Sequence, residues 1–489
     1  MAEQSKSHSS RRKSSAYSND ERHTSPQNRR TPERKSSGTT TRTSRNTSTR
    51  TSAPRRTSER TRTTDRYRNE NPASETLRTT ATRNSSSPRK TTTVKGKATV
   101  KGKKRKNSLI YKVTKFFSIR DGLDRPFFLL VIVLLIVGIT MMFSASYAFA
   151  YYNAGDSFYY LVRQAGFAVV GVILMIGISY FDYRYLYKLD KAILLVAFLL
   201  LVIVLFMPAR NGVTRWIEIG SLFSFQASEV MKFAIILFYA KYSYEHFEKM
   251  GTFKYGVLPA LIVALPTVFL LYLEPHYSCI VIIVMLLVVM MFIAGVKIRW
   301  FVAGGGGIVA VFLALKIFDK LQYAQERLDG WGLALEENLS TDMQWKVWQT
   351  MNSLYAIGSG GMTGLGIGQS REKYLYLPEP QNDFVFAIVV EELGLIGGVV
   401  VMLLFIGLIV RGIMISLEAH DRFGMLLGVG LMSQIGIQVL INILVVTDTL
   451  PNTGISLPFF SYGGTSLVML LAQMGIVLSI SRNANIEKT

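Results

Sequence analysis

Asp383 is the residue whose type and position best suit a chemical step. It ends a long polar stretch and directly precedes the apolar run FVFAIVVEELGLIGG. A carboxylate at the mouth of a membrane cavity can act as a general base and accept a proton from a substrate hydroxyl. An Asp directly before a helix is also a favoured N-cap, whose carboxylate accepts hydrogen bonds from the first turn. The pattern leaves both interpretations open.

Glu229 and Lys232 place two charges near the start of another apolar run. Their spacing of three residues puts both on one helix face, where they can pair. Charges inside a membrane are rare and commonly mark functional sites, and a structural ion pair that fixes the helix to a neighbour is the alternative. Arg215, in the preceding segment GVTRWIEIG, could bind a phosphate through its guanidinium fork. It could equally stack on Trp216 or contact a lipid headgroup.

Two polar patterns occur in later apolar runs. Glu391 and Glu392 are adjacent, and adjacent helical positions diverge by about 100°. We therefore expect only one of the two to face a polar cavity, and we assign Glu391 to the site. Gln434, Gln438 and Asn442 recur every four residues. Such a stripe is typical of hydrogen bonding between helices, and the lining of a substrate groove is the alternative.

The segment DTLPNTGISLPFFSYGGTSL contains two prolines and two adjacent glycines that interrupt helix. Irregular backbone at membrane depth persists only where it is buried or lines a cavity. We therefore expect this segment to form a wall of the site, and we include Ser461 with Gln434 among the substrate-binding candidates. The chain has no nucleotide-binding fingerprint and no serine-nucleophile elbow, so its sequence does not support ATP-driven transport or acyl-enzyme chemistry.

These candidates belong to a chain made of two unlike parts. The 489 residues carry a formal net charge of +22, and residues 1–106 alone hold 29 Lys and Arg against 8 Asp and Glu. The remainder is roughly 60% hydrophobic, which exceeds the soluble-domain norm of about 45–50%. This excludes a soluble globular enzyme and indicates a protein with many membrane spans.

The basic Ser/Thr/Arg-rich segment 1–106 has too little apolar surface to fold and is predicted to be a disordered cytoplasmic tail. It ends in KGKKRK, which could anchor topology or contact anionic lipid. Nucleic-acid binding is not expected, because the tail lacks a folded reading element. Residues 107–125 form a juxtamembrane segment, 126–482 the membrane domain, and 483–489 a short cytoplasmic C terminus.

Ten apolar runs have the length that a bilayer requires. The fold class is therefore an all-α polytopic membrane protein of about ten helices. Both termini are predicted to be cytoplasmic, because Lys and Arg concentrate in alternate loops. A long outer loop, 319–382, precedes the eighth predicted span, and its length suggests extracytoplasmic chemistry. The spans are expected near 126–149, 158–180, 191–207, 228–243, 257–273, 279–296, 299–318, 384–410, 423–446 and 461–482.

Metal and disulfide chemistry have little support. Cys279 is the single cysteine, so the chain can form neither an intramolecular disulfide nor a thiolate cluster. The five histidines are scattered, and none pairs with another at a helical ligand spacing. A zinc site is therefore not expected.

Several of these stretches together resemble the SEDS family of peptidoglycan polymerases, typified by FtsW, RodA and SpoVE. They occur in family order over roughly 120–482. The segment GLGIGQSREKYLYLPEPQNDF most resembles the division and sporulation branch. The matching stretches are FSASYAF, the RQ pair at 163–164, GVTRWIEIG, FQASEVMK, AIGSGGMTGLGIGQSREKYLYLPEPQNDFVFAIVVEELGLIG and LPNTGISLPFFSYGGTSL.

The resemblance implies a glycosyltransferase that polymerises lipid II on the outer face of the bacterial cytoplasmic membrane. Asp383 matches the essential outer-loop Asp of the family, which favours the general base over the helix cap. Arg215, Glu229 and Lys232 match family positions implicated in function, and their cations would oppose the pyrophosphate charge. The resemblance also implies a divalent cation, Mg²⁺ or Mn²⁺, a class B penicillin-binding protein and divisome proteins as partners, and enrichment at the septum.

The chain departs from the family pattern at two places. EPHYSCI stands where many members carry a QPD motif, so that His276 replaces a carboxylate. Ala227 stands in QASE where QPSE is usual. Two other functions stay open at this point: a lipid II flippase, which would depend mainly on Glu229 and Lys232, and a non-catalytic membrane scaffold for the partner synthase.

Overall fold

The structure is a computed structural model that describes residues 122–208, 214–219, 223–317, 329–336 and 338–483. The predicted disordered tail, most of the juxtamembrane segment and residues 484–489 lie outside the described residues. In the described ranges the regular secondary structure is helical, apart from one hairpin. The α-helices are α1 Arg125–Ala154, α2 Tyr159–Ser179, α3 Leu186–Val204, α4 Ala227–Glu245, α5 Leu258–Leu273, α6 Tyr277–Ile293, α7 Ile298–Ile317, α8 Thr341–Gly360, α9 Val385–Leu417, α10 Arg422–Val446 and α11 Gly464–Asn483. Short 3₁₀ turns cover Tyr183–Tyr185 and Phe247–Lys249, and a π turn, Phe253–Val257, leads into α5.

Each of the ten predicted spans overlaps one of these helices, with ends that differ by up to seven residues. By length and apolar composition, six helices of the described part could cross a membrane: α1, α2, α5 with its π turn, α9, α10 and α11. Helix α6 is apolar but shorter. Helix α8 lies inside the predicted outer loop and was not expected.

A two-stranded hairpin precedes α4. Strands β1 Ile217–Ile219 and β2 Phe223–Phe225 pair antiparallel, with Ile217 opposite Phe225. Each strand alternates apolar and polar residues, the pattern of a strand with one buried face. The all-α prediction therefore omitted this small element.

The helices α10 and α11 form the centre of the bundle. In each, 72% of the most apolar window is buried by protein, against 22% for α2. Helix α2 packs along α11 and turns its other side outward, where Val162, Val169 and Ile173 are exposed. In a membrane protein such exposed apolar side chains face lipid.

Helix α9 is broken at Gly394, whose φ of 72° and ψ of −178° are not helical. The Gly-rich segment that follows α8 fills the break. Leu365 N and Gly366 N donate to the carbonyls of Glu391 and Glu392 at 3.0 and 2.9 Å. On the other side, Leu395 N donates to Gly361 O at 2.9 Å. The hydrogen bonds that the helix loses are thus replaced by bonds to the segment between α8 and α9, as buried backbone groups require.

Gly394→Ala is expected to lower the free energy of unfolding by about 2 kcal/mol or more, because the left-handed φ disfavours a side chain. The added Cβ would also lie 2.4 Å from Gly364 N and from Met362 O. Gly407→Ala in the same helix is the matched control, since its Cβ would meet nothing closer than 3.8 Å. The measurement is thermal unfolding in detergent. Its readout is maleimide labelling of Cys279, the single cysteine, which is buried and becomes reactive when the protein unfolds. Equal midpoints of thermal unfolding for Gly394→Ala and Gly407→Ala would show that the helix break at Gly394 does not require a glycine.

Candidate active site

Asp383 lies where the outer loop meets the start of α9 and the segment between α10 and α11. The buried Asn442 side chain of α10 donates from Nδ2 to the backbone carbonyls of Asp383 and Ile455, both at 2.7 Å. Gly454 lies so close that a Cβ there would be 3.1 Å from Asp383 Oδ2. The backbone of Asp383 is therefore fixed by α10, and its carboxylate lies beside the segment between α10 and α11.

The helix-cap position falls on Phe384, one residue beyond Asp383. Phe384 is fully buried and its side chain makes no capping hydrogen bond. Asp383 itself is partly exposed. Asp383 therefore lies one residue before the N-cap position of α9, rather than at the cap itself.

Glu229 and Lys232 form an ion pair in the first turns of α4. Lys232 Nζ lies 2.8 Å from Glu229 Oε1, and the side chains are 2% and 13% exposed. The predicted pairing across three residues is therefore present. Because Lys232 is buried and Glu229 is not completely so, the carboxylate is the more accessible member of the pair.

Three predicted site residues meet at one cavity. Glu229 of α4, Gln434 of α10 and Ser461 of the final segment all line it, together with Gln438. The three residues of the polar stripe on α10 therefore have two roles. Gln434 and Gln438 line the cavity, while Asn442 hydrogen-bonds to two backbone segments. The lining also includes the apolar residues Leu457, Pro458, Phe459, Leu467 and Leu470.

The final segment is held in shape by Gln164 of α2. Its Nε2 donates to Ser461 O at 3.3 Å and its Oε1 accepts from Gly463 N at 3.2 Å. Ser461 Oγ in turn accepts from Leu457 N at 2.7 Å. The expected wall of irregular backbone is present, and the Ser461 hydroxyl takes part in its internal hydrogen bonding.

Arg215 lies against the turn between α5 and α6. Its guanidinium donates to the carbonyl oxygen of Pro275. Glu274 and His276 flank that proline and are 1% and 8% exposed. Burial raises the pKa of Glu274 to about 8, and the nearby Arg215 charge opposes the rise. Burial lowers the pKa of His276 to about 3, and the charges of Arg215 and Lys232 lower it further, so His276 is neutral at physiological pH.

Glu391 and Glu392 are both buried, and both bind residues of the loop between α8 and α9. Glu391 accepts from Ser370 Oγ at 2.6 Å and from Arg371 N at 2.7 Å. Glu392 forms an ion pair with Lys373 at 2.9 Å, a pair that is 2% and 0% exposed. The sequence led us to expect that only one of them faces a polar cavity. In the structure both have polar partners, which residues 370–373 and Ser144 of α1 supply. Substrate contact through Glu391 stays a prediction.

Comparison with known proteins connects this geometry to a family. A family model described as a cell cycle protein, FtsW/RodA/SpoVE, matches residues 124–486. The chain belongs to the FtsW/RodA/SpoVE family. Stage V sporulation protein E of Bacillus subtilis is 42% identical over 363 residues, which cover 73% of this chain and 97% of that protein. A probable peptidoglycan glycosyltransferase FtsW of Geobacter sulfurreducens is 34% identical over 363 residues, covering 73% and 95%.

Solved structures share the fold of this FtsW/RodA/SpoVE member. One chain of a peptidoglycan synthase complex aligns with a TM-score of 0.59 at 24% identity, covering 75% of this chain and 99% of that chain. The Thermus thermophilus rod shape-determining protein RodA aligns with a TM-score of 0.54 at 24% identity, covering 75% and 98%. With its apolar helices, this family member is an integral membrane protein.

A metal ion held by protein side chains alone is not supported by the described residues of this family member. Among the residues that the structure describes, no group of three His, Cys, Asp or Glu side chains could hold one. Mg²⁺ is commonly held by one or two carboxylates together with substrate phosphates, so this finding concerns a resident ion only. No chemical step is assigned to the divalent cation that the resemblance implies.

Sequence reasoning missed Lys373 and Ser144, which complete the buried network around Glu392. Ser144 Oγ of α1 donates to Glu392 at 2.7 Å, and Lys373 Nζ lies 3.3 Å from Ser144 Oγ. Lys373 lies in the loop between α8 and α9, next to the exposed Arg371 and Tyr374, so its burial carries no local signal. Two adjacent acidic residues in an apolar run were the available hint, because buried carboxylates need partners.

Proposed function

We propose that this protein is a peptidoglycan glycosyltransferase that polymerises lipid II into glycan strands on the outer face of the cytoplasmic membrane. The observation that carries the proposal is the match to relatives of that name over nearly their whole length, with 34% identity. The site supports it, since Asp383 lies beside an irregular outer segment and near a partly polar cavity.

Asp383 is the general base in this reaction. Its carboxylate takes the proton from the 4-hydroxyl of the acceptor sugar while the hydroxyl oxygen forms a bond to the anomeric carbon of the donor. The bond from that carbon to the pyrophosphate oxygen breaks, and its electron pair leaves with undecaprenyl pyrophosphate. Arg215 and Lys232 supply positive charge opposite the pyrophosphate, while Gln434 and Ser461 line the groove.

The reaction requires a defined orientation in the membrane. In our proposal all ten apolar helices span it, with both termini in the cytoplasm and the loop 319–382 outside. Trp331, Trp345 and Tyr355 of that loop are exposed, and Trp and Tyr are enriched where a membrane protein meets the aqueous interface. This supports an outer loop near the membrane surface, where the lipid-linked substrate presents its sugars.

A cognate class B penicillin-binding protein is the proposed partner that cross-links the new strand. A chain of a peptidoglycan synthase complex shares the fold, which supports such an assembly. The similarity to Stage V sporulation protein E and to FtsW supports a role in sporulation or division wall synthesis, with enrichment at the septum and contact with divisome proteins.

The test is polymerisation of lipid II by the purified full-length protein in complex with a transpeptidase-dead partner. We expect glycan strands longer than one disaccharide, because the inactive partner leaves this chain as the polymerase. Strands must be absent when the partner is assayed alone. An intact complex that makes no polymer would contradict the proposal, and lipid II translocation by the same preparation would then identify a flippase.

A further inference from the structure

Two turns at the end of the bundle opposite the candidate active site pack into one surface. One turn joins α4 to α5, and the other joins α6 to α7. Trp300 Nε1 donates to Gly251 O at 3.4 Å, and the rings of Phe253 and Trp300 lie 5.1 Å apart. Gly256 approaches Val296 so closely that a Cβ there would lie 2.8 Å from the valine Cγ2. The two turns therefore present their side chains in one defined arrangement.

The length of α10 separates this surface from Asp383. Arg422, the first residue of α10, stacks on the Phe247 ring of the turn between α4 and α5 at 3.9 Å. Asn442, near the other end of the same helix, binds the backbone of Asp383. The helix between these two positions is about 30 Å long. The proposed orientation in the membrane puts the two turns on the cytoplasmic side.

The turn between α4 and α5 supplies two cations. The Nζ atoms of Lys249 and Lys254 lie 5.4 and 5.7 Å from the centre of one ring, that of Tyr255. Lys254 belongs to the π turn, a conformation that often marks functional sites. Tyr239 of α4 is buried and stabilises this turn, because its hydroxyl donates to Gly256 O at 2.6 Å. The first pair of cations is therefore held by a turn of fixed geometry.

The turn between α6 and α7 supplies two more cations. Lys297 extends across the first turn, since a Cβ on Gly251 would lie 3.1 Å from its Cε. The guanidinium carbon of Arg299 lies 5.0 Å from the centre of the Trp300 ring. All four cations are exposed, and none forms an ion pair with a described residue. Glu248 is the single acid in the sequence of the two turns, so four cations stand against one acid.

Exposed apolar side chains continue this surface toward the interior of the membrane. They lie in the π turn and at the adjoining ends of α5, α6 and α7, and they are Phe253, Leu258, Phe292, Ile298 and Val302. In a membrane such side chains contact acyl chains. A ligand that fits both parts of the surface carries a negative headgroup and an apolar chain. A free phosphate would use the cations alone, and an acidic protein segment would leave the lipid-facing side chains unused.

We propose that the two turns form a binding site for one anionic phospholipid. The phosphate lies among Lys249, Lys254, Lys297 and Arg299, and the acyl chains lie along α5 and α7. Basic pockets between membrane helices suit anionic headgroups, and Trp and Tyr are enriched at headgroup level. The site lies outside the proposed reaction and fixes the protein in its bilayer at the end opposite Asp383.

The experiment locates phosphatidylglycerol on the full-length protein in phosphatidylcholine membranes. The basic segment 1–106 also attracts anionic lipid, so the position of the lipid must be measured and not only its amount. The probe is a phosphatidylglycerol with a diazirine in its acyl chain, and peptide mass spectrometry after illumination gives the labelling yield along the chain. We expect labelling to concentrate at residues 253–258 and 292–302. Unlabelled phosphatidylglycerol should compete with it, whereas soluble glycerol phosphate and further phosphatidylcholine should not.

Lys254→Gln combined with Lys297→Gln removes one cation from each turn. At sub-saturating probe we expect the labelling yield at these residues to fall about 25-fold, because each Lys near an anionic headgroup contributes about fivefold. The matched control combines Lys188→Gln with Lys191→Gln. These are two exposed lysines of α3, whose start contacts the end of α4 through the hydrogen bond from Tyr187 to Glu245. We expect the control to change the yield less than twofold.

An equal fall in the two double variants would overturn the inference, because the lysines would then act through diffuse attraction to the membrane. Labelling spread evenly over all helix ends would overturn it as well. Competition by glycerol phosphate as strong as that by phosphatidylglycerol would contradict a lipid and indicate a free phosphate ligand. A wild type without preference for phosphatidylglycerol would leave the cations to an acidic protein partner. If the Lys254→Gln and Lys297→Gln protein does not fold, the labelling map and the competition in the wild type still decide.

Discussion

Asp383→Asn is expected to lower the rate of lipid II polymerisation by about 10²–10⁴-fold, the range that a general base contributes. The amide cannot take the proton of the acceptor hydroxyl, yet it has almost the same shape as the carboxylate. Asn442 holds this position through the backbone carbonyl, which the substitution leaves in place. The measurement is the initial rate of glycan formation by the complex with a transpeptidase-dead partner, at saturating lipid II.

The control for Asp383→Asn is Glu379→Gln in the same loop. Glu379 is exposed and its carboxylate accepts from Asn382 Nδ2 at 2.7 Å, so its loss is expected to change the rate by less than twofold, as for a surface substitution away from the site. Complex formation and the thermal midpoint of Asp383→Asn must equal those of the wild type. A stable, partner-bound Asp383→Asn protein that polymerises at the wild-type rate would move the chemistry to another residue.

The positions of the membrane helices followed from hydropathy because a bilayer dictates the length of each apolar run. The span expected at 158–180 is the helix Tyr159–Ser179, and the one expected at 423–446 is Arg422–Val446. Helix α8 escaped this reasoning because it lies in the outer loop, where its sequence mixes polar residues with Trp345 and Trp348. Hydropathy therefore locates the helices that lie in the membrane but does not predict helices in polar loops.

The break in α9 could not be predicted from its own residues. Gly394 is one glycine in an apolar run that otherwise reads as continuous helix. The break exists because Leu365 and Gly366, about thirty residues upstream, donate to carbonyls of α9. The Gly-rich stretch was the available signal, since Gly364 and Gly394 approach each other too closely for any side chain. The contact is long-range, and a pattern read along one segment does not contain it.

The candidate site was predicted in part. The sequence brought forward Glu229, Gln434 and Ser461 for separate reasons, and the fold places all three around one cavity. For Glu391 and Glu392, the reasoning assumed a single polar surface beside the helix. In the structure the outer loop folds back over α9 and α1 approaches from another direction, so both carboxylates find partners.

Lys373→Met is expected to lower the free energy of unfolding by about 3–5 kcal/mol, the usual cost of leaving one member of a buried ion pair alone. Glu392 is fully buried, and Lys373 supplies its single positive partner among the described ion pairs. The same change is expected to reduce polymerisation, because Lys373 ties the outer loop to α9 and α1 only ten residues before Asp383. The stability is measured by thermal unfolding, with maleimide labelling of Cys279 as the readout.

Two further variants test whether the stability lost in Lys373→Met comes from the unpaired charge of Glu392 or from the lost side-chain contacts of Lys373. Adding Glu392→Gln to Lys373→Met removes the uncompensated charge, and the double variant should recover part of the lost stability. Arg184→Met breaks the pair with Asp421, whose side chains are 46% and 25% exposed, and should cost less than about 1 kcal/mol. If Lys373→Met costs no more than Arg184→Met, the Lys373–Glu392 pair does not hold the loop. The positioning of Asp383 would then rest on Asn442 and on the backbone bonds across the break in α9.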